Sequence, residues 1–303
     1  MAEPIPVILN AHAGGKYQTE WGDMLAQRFK AAGLNVAVTL AADADTMIRT
    51  AREALAAGAP LIVAGGGDGT LNAVAAELVD SNCVLGVLPL GTLNHFARDL
   101  GVPIALDDAI AVITAGHART IDVGEVNDRI FLNNSSLGLY PEIVRDREHQ
   151  QHRLGRGKWL AFATATLAAL RRYPFVNARL EIDGVHHMRK TPFIFIGNNA
   201  YSMSGFTLGQ RTRLDSGLLS LYTAQRTSRL GLLRLALRSL FGRLRQARDF
   251  DAVPAREILI ETRHQHLLVA TDGEVCRLDT PLRYRIRPLA LRVMAPAASA
   301  APV

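Results

Sequence analysis

The sequence predicts an α/β domain with a parallel sheet, helices on both faces, followed by a second, mainly antiparallel β domain. Three observations carry this. Short continuous apolar runs alternate with helical stretches over the first 120 residues, each run ends in a polar or glycine-rich loop, and the rhythm changes to closely spaced strand-like segments after Ile121. Apolar strands separated by helices indicate a parallel sheet covered on both faces.

The elements follow in order. IPVILN reads as a buried strand and Tyr17 to Ala32 as a helix ended by Gly33. NVAVTL is the second strand, and Asp43 to Ala57 a helix punctuated by Gly58 and Pro60. PLIVAG, a helix from Leu71 to Leu78 and VLGVLPL complete the pattern, with a short helix opening at NHFARDL and another in LDDAIAVITAG. Beyond them, RTIDVGEV, RIFLNNSSLG, NARLEID, TPFIFIGNNA, LLSLYTA, REILIETR, HLLVATDGE and LRYRIRP are short and strand-like. The boundary is expected near residue 124, giving domains 1–124 and 125–303. Two helical stretches interrupt the second domain, one over about 140–172 and one in SRLGLLRLALRSLFGRLRQARDF. The latter carries a leucine stripe with Arg229, Arg234, Arg238, Arg243 and Arg245 off it. It reads either as a core-facing helix with solvated arginines or as a basic amphipathic surface for an anionic membrane.

Composition narrows the class. Of 303 residues, 49% are hydrophobic and 20% charged, which suits a globular chain with a full core. The net charge of +6 is a mild excess that suits an anionic ligand or membrane surface and does not by itself indicate nucleic acid. Two cysteines, Cys83 and Cys276, make neither a disulfide framework nor a metal cluster. MAEPIPVILN has no basic, apolar leader pattern, and the longest apolar stretch, Trp159 to Leu170, is too short to span a bilayer. The expected setting is the cytoplasm, with at most peripheral contact at the inner membrane face; a homodimer is compatible with it.

The chemistry sits in three loops that follow strands. Loop one is Asn10 to Lys16, with Gly14 and Gly15. Loop two is Gly65-Gly66-Gly67-Asp68-Gly69-Thr70, with Asn72 close behind. Loop three is Pro89 to Asn94, with Gly91 and Thr92. In a parallel sheet all three meet at the carboxyl edge of the strands. Glycines let the backbone approach phosphate oxygens, successive N–H groups form an anion nest, and the helix after loop two adds its positive end. The loops lack the Gly-Lys-Ser/Thr of Walker A and the dinucleotide G-x-G-x-x-G arrangement. An aspartate beside phosphates repels them unless a cation intervenes, so Asp68 implies Mg2+; the alternative is an aspartate that caps the following helix.

GGGDGTLN, LPLGTLNHFARDLG, IDVG, a DSG turn and TDGE, in that order, resemble the diacylglycerol-kinase catalytic-domain family of bacterial lipid kinases, related to sphingosine and ceramide kinases. GGDGT alone is shared with NAD kinases and phosphofructokinases; the ordered set is far more specific. The resemblance implies an α/β nucleotide-binding domain plus a β-sandwich domain with the active site in a cleft between them, and an ATP- and Mg2+-dependent kinase acting on a hydroxyl of a neutral, diacylglycerol-like lipid. Asn10, Gly14, Gly66, Gly67, Asp68, Gly69, Thr70, Asn72, Gly91, Thr92 and Asn94 match nucleotide-binding positions. Glu274 matches the general base, Asp68 serves the reaction with it, and Asp68 and Asp122 match the metal-linked acids. Two departures stand out. His95 replaces an acidic residue, and Ser216 follows Asp215 where relatives often place Asp before Gly217 and hold a structural Mg2+. Two other readings remain: an NAD kinase-like enzyme, and a non-catalytic nucleotide-sensing or membrane-surface module.

Overall fold

The computed structural model describes residues 3–12, 19–138, 176–204, 207–211, 213–224 and 250–297. Gly14, Gly15 and both expected helices of the second domain lie outside these residues. The chain divides into two compact units. One takes the chain up to Val123 and again from Pro288 onward; the other is Gly124–Arg287.

The first unit is built on parallel strands β1 (Ile5–Asn10), β2 (Val36–Ala41), β3 (Leu61–Gly66) and β4 (Val84–Pro89), in the order β2-β1-β3-β4. Every residue of β3 and β4 is buried, as strands covered on both faces must be. The helices are α1 (Thr19–Ala31), α2 (Ala44–Ala56), α3 (Asp68–Leu78), α4 (His95–Leu100) and α5 (Leu106–Ala115). Asp43 caps α2 by accepting the Thr46 N–H at 2.8 Å. Arg52 on α2 clasps Glu77 on α3 through two hydrogen bonds of 2.6 and 3.0 Å. Helix α3 starts at Asp68, three residues before the expected Leu71, because Gly67 already serves as its N-cap in extended conformation.

The second unit begins within β5 (Ala118–Val126). It contains β6 (Arg129–Phe131), β7 (Asn134–Gly138), β8 (Val176–Ile182), β9 (Val185–Thr191), β10 (Phe193–Asn198), β11 (Tyr201–Ser204), β12 (Thr207–Arg211), β13 (Leu219–Ala224), β14 (Phe250–Ala255), β15 (Glu257–Thr262), β16 (His266–Thr271) and β17 (Glu274–Asp279). One antiparallel sheet runs β14-β13-β10-β7-β16-β17. Its inner face packs Leu137, Ile194, Leu221 and Val269 against Leu180, Ile260 and Tyr284 from strands outside that sheet, which makes the sandwich core.

The last strand, β18 (Leu282–Met294), corrects the expected domain limits. Its first residues pair antiparallel with β15, whereas Arg292 and Val293 pair in parallel with Val84 and Leu85 of β4. The nucleotide-type unit therefore takes back the end of the chain that was expected to remain with the sandwich.

Candidate functional site

The first cluster forms where β1, β3 and β4 end. Asn10, the last residue of β1, donates from Nδ2 to Thr70 Oγ1 at 3.0 Å, and its Oδ1 accepts the His12 N–H at 2.9 Å. This fastens the start of loop one to the first turn of α3. Loops two and three are zipped more tightly. The Leu90 N–H donates to Gly66 O at 3.1 Å. A Cβ on Gly91 would collide with the Gly67 backbone, and one on Gly66 would meet the Thr70 side chain at 2.5 Å. Both positions therefore require glycine for close approach, not for an unusual φ.

Asn94 shapes loop three from inside. It is buried, left-handed at φ 51°, and its Oδ1 accepts the Gly91 N–H at 2.9 Å. Its Nδ2 donates to the carbonyls of Pro89 and Gly91 at 3.2 and 2.9 Å. Asn94 is thus a loop former, with its amide spent on its own loop. Thr92 is exposed at the tip.

Asp68 answers to both aspartate readings in an unexpected way. Its carboxylate accepts the N–H groups of His95 at 3.1 Å and Phe96 at 2.9 Å, so it caps α4, not the helix on which it sits. His95 meets Asp68 through its backbone, which any residue type could supply. Asp122 is fully buried and accepts the Leu289 N–H at 2.9 Å, holding a left-handed residue of β18.

The second cluster lies in the sandwich unit. Asp272 and Gly273 have φ of 48° and 89°, the two-residue hairpin turn that an Asp-Gly pair favours, and Glu274 opens β17 with its side chain exposed. The turn is anchored far from its own hairpin. The Asp272 carboxylate accepts the N–H groups of Leu132, Asn133 and Asn134 at 2.7, 2.8 and 3.0 Å. Burial pushes this carboxyl up to about 6, against the pull of the three N–H donors and the Arg211 charge. Arg211, itself buried, donates to Leu132 O at 2.6 Å, Asn198 O at 3.0 Å and Asn133 Oδ1 at 2.8 Å. The sequence motif pointed to Glu274 and gave no sign of Asp272 as its anchor, nor of Arg211, Asn133 and Asn198.

Asp215 and Ser216 do not fit a cation. The Asp215 carboxylate faces the Arg213 guanidinium at 3.0 Å, and Asn199 Oδ1 accepts both the backbone N–H and the hydroxyl of Ser216. Among the described residues, no group of three or more His, Cys, Asp or Glu side chains is placed to hold a metal ion. A Mg2+ carried on nucleotide phosphates needs fewer protein ligands, since it keeps several waters. Asp68, beside the glycine cradle, fits that case; Asp122, buried on a backbone N–H, fits an anchoring role.

Comparison with known proteins follows this geometry. The diacylglycerol kinase catalytic domain matches residues 4–126, and the YegS C-terminal NAD kinase beta sandwich-like domain matches residues 142–295. A probable lipid kinase YegS-like of Pseudomonas fluorescens is 33% identical over 274 residues, covering 88% of each chain. Its counterpart in Pseudomonas aeruginosa is 34% identical over 280 residues, covering 88% of this chain and 87% of that one. A putative diacylglycerol kinase of Bacillus anthracis superposes with a TM-score of 0.77 at 23% identity, over 98% and 99% of the two chains, which speaks for the fold. The chain belongs to the diacylglycerol-kinase catalytic-domain family of bacterial lipid kinases.

Proposed function

We propose that the protein is a lipid kinase that transfers the γ-phosphate of ATP to a hydroxyl of a neutral, diacylglycerol-like lipid. The observation that carries this reading is the back-to-back packing of Gly67 and Gly91, which leaves two strand-end loops with no side chain between them. Such a backbone surface suits phosphate oxygens. Gly66, Gly67, Gly69 and Gly91 would supply the cradle, Thr70 and Thr92 hydroxyl donors, and Asn10 and Asn94 the loop shape. Gly14 and Asn72 complete the proposed nucleotide set.

Mg2+, when bound, would neutralise charge on the phosphates, with Asp68 as the nearest protein anion of the cradle. Glu274 is the proposed general base. Its carboxylate would take the proton of the lipid hydroxyl as that oxygen attacks the γ-phosphorus and the bond from phosphorus to the bridging oxygen breaks, releasing ADP; phosphoryl transfer asks little more of the protein than such positioning. Asp272 would hold the Glu274 turn in place. Among the described residues no helix is long and apolar enough to cross a membrane, and the proposed contact with lipid is peripheral.

The test is to incubate the protein with Mg2+, γ-labelled ATP and a total lipid extract. Label in the organic phase supports the proposal, and the mass of the labelled species names the acceptor. Label confined to the aqueous phase on a nucleotide would point to the NAD kinase-like reading. The Glu274→Gln variant is expected to lose transfer while keeping ATP affinity; full transfer would remove the base assignment.

A further inference from the structure

The six-stranded sheet of the second unit has a second face. Leu137, Ile194, Leu221 and Val269 point into the sandwich core. Side chains alternate along a strand, so Ser136, Phe195, Tyr222 and Ala270 lie on the opposite side. The register sets them in one row: Ser136 stands opposite Phe195 on one neighbour and Ala270 on the other, and Phe195 stands opposite Tyr222. The rings of Phe195 and Tyr222 meet edge to face at 5.8 Å between centroids, and Tyr201 packs against Phe195 at 5.6 Å. The row is aromatic and apolar but for two hydroxyls: that of Tyr222, which accepts the Tyr201 N–H at 3.1 Å, and that of Ser136.

The second hydroxyl is anomalous. Ser136 is 1% exposed, and its Oγ has no hydrogen-bond partner among the described residues. Its neighbour Ser135, on the core face, lies 3.0 Å from the Tyr284 hydroxyl. A buried hydroxyl without a partner costs free energy that alanine at the same place would avoid. Ser136 also sits near the proposed base. Ala270, opposite it, pairs on its far side with Val275, the residue after Glu274. Two strand spacings, about 10 Å, therefore separate Ser136 from the start of that strand.

We infer that Ser136 is a substrate contact: its hydroxyl pairs with a hydroxyl or ester carbonyl in the polar part of the lipid acceptor, while Phe195 and Tyr222 flank the first part of the hydrocarbon. The inference rests on the lipid-kinase reading. A serine hydroxyl both donates and accepts, so either lipid group satisfies it. The contact orients the acceptor on the sheet that carries Glu274 and leaves the nucleotide loops untouched.

The experiment compares the wild type with Ser136→Ala, using 1,2-dioctanoylglycerol in mixed micelles. The expected result is a lipid KM raised about three- to tenfold, the worth of one neutral hydrogen bond, with kcat and the KM for ATP within about twofold. The thermal midpoint stays level or rises, since the variant loses no partner within the protein. An unchanged lipid KM overturns the inference, as does a lowered midpoint with unchanged KM, which marks a structural role. If the wild type phosphorylates no lipid at all, the kinase reading fails separately. The same micelles then decide by thermal shift: a smaller lipid-induced shift in Ser136→Ala sustains the contact, and equal or absent shifts in both proteins overturn it.

Discussion

Replacing Asp272 with asparagine separates what holds the Glu274 turn from what charges it. The side chain keeps its shape and one oxygen to accept the N–H groups of Asn133 and Asn134, the Leu132 N–H loses its acceptor, and the group no longer titrates. In the wild type, burial raises the carboxyl from 3.8 to about 6. The folded state thus holds this proton more tightly than the unfolded chain does. The stabilisation is complete below about pH 4 and is lost as pH rises toward 6. A difference of about two pH units corresponds to about 3 kcal/mol. The stability of the wild type relative to Asp272→Asn is therefore expected to fall by about 3 kcal/mol between pH 4 and pH 7. Urea unfolding of both proteins at half-unit pH steps measures it, with the subtraction removing every other titrating group. Parallel curves would show that the three N–H donors and Arg211 offset burial in full. A difference growing with pH would show that they hold the carboxylate below its ordinary range.

Two further perturbations address the loops. Gly91→Ala places a methyl group against the Gly67 backbone and the Asn94 amide, so loops two and three must separate. Nucleotide titration should show at least about a tenfold loss of ATP affinity, about 1.4 kcal/mol, and unchanged affinity would dismiss the cradle. At the 213–218 turn, the wild type without nucleotide should melt at the same temperature in Mg2+ and in chelator. Ser216→Asp beside Asp215 should make the midpoint Mg2+-dependent by about a degree or more, the scale of a few tenths of a kcal/mol. A chelator-sensitive wild type would refute the arrangement of Arg213, Asp215 and Asn199.

Much of the first unit was legible because its signals are local. The buried runs of β3 and β4 are apolar throughout, and glycines mark the strand-end loops. Asp68 was legible as a residue with a purpose but not in its object, since the N–H groups it receives belong to a helix 27 residues later. Strand β9, VHHMRKT, carries no apolar alternation: among the described residues it ends its sheet, paired with β8, and His186, Arg189 and Lys190 are exposed there. Nothing local in that segment marks the strand beneath those residues. Asp272 shows the same limit. An Asp-Gly pair reports its turn, whereas its anchor on Leu132–Asn134 lies about 140 residues away in sequence. The closing strand followed suit, since nothing in LRVMAP says which sheet edge it joins.

That closing strand has a consequence for how the protein is made. Synthesis runs from the N-terminus, and domains generally fold as they emerge. Here β4 cannot gain its second parallel neighbour until Arg292 and Val293 exist, some 200 residues after Val84 and Leu85 have left the ribosome. The unit that is translated first is completed last. Through all of that interval an apolar strand waits at an open sheet edge, which makes β4 a segment of the nascent chain for a chaperone to shield.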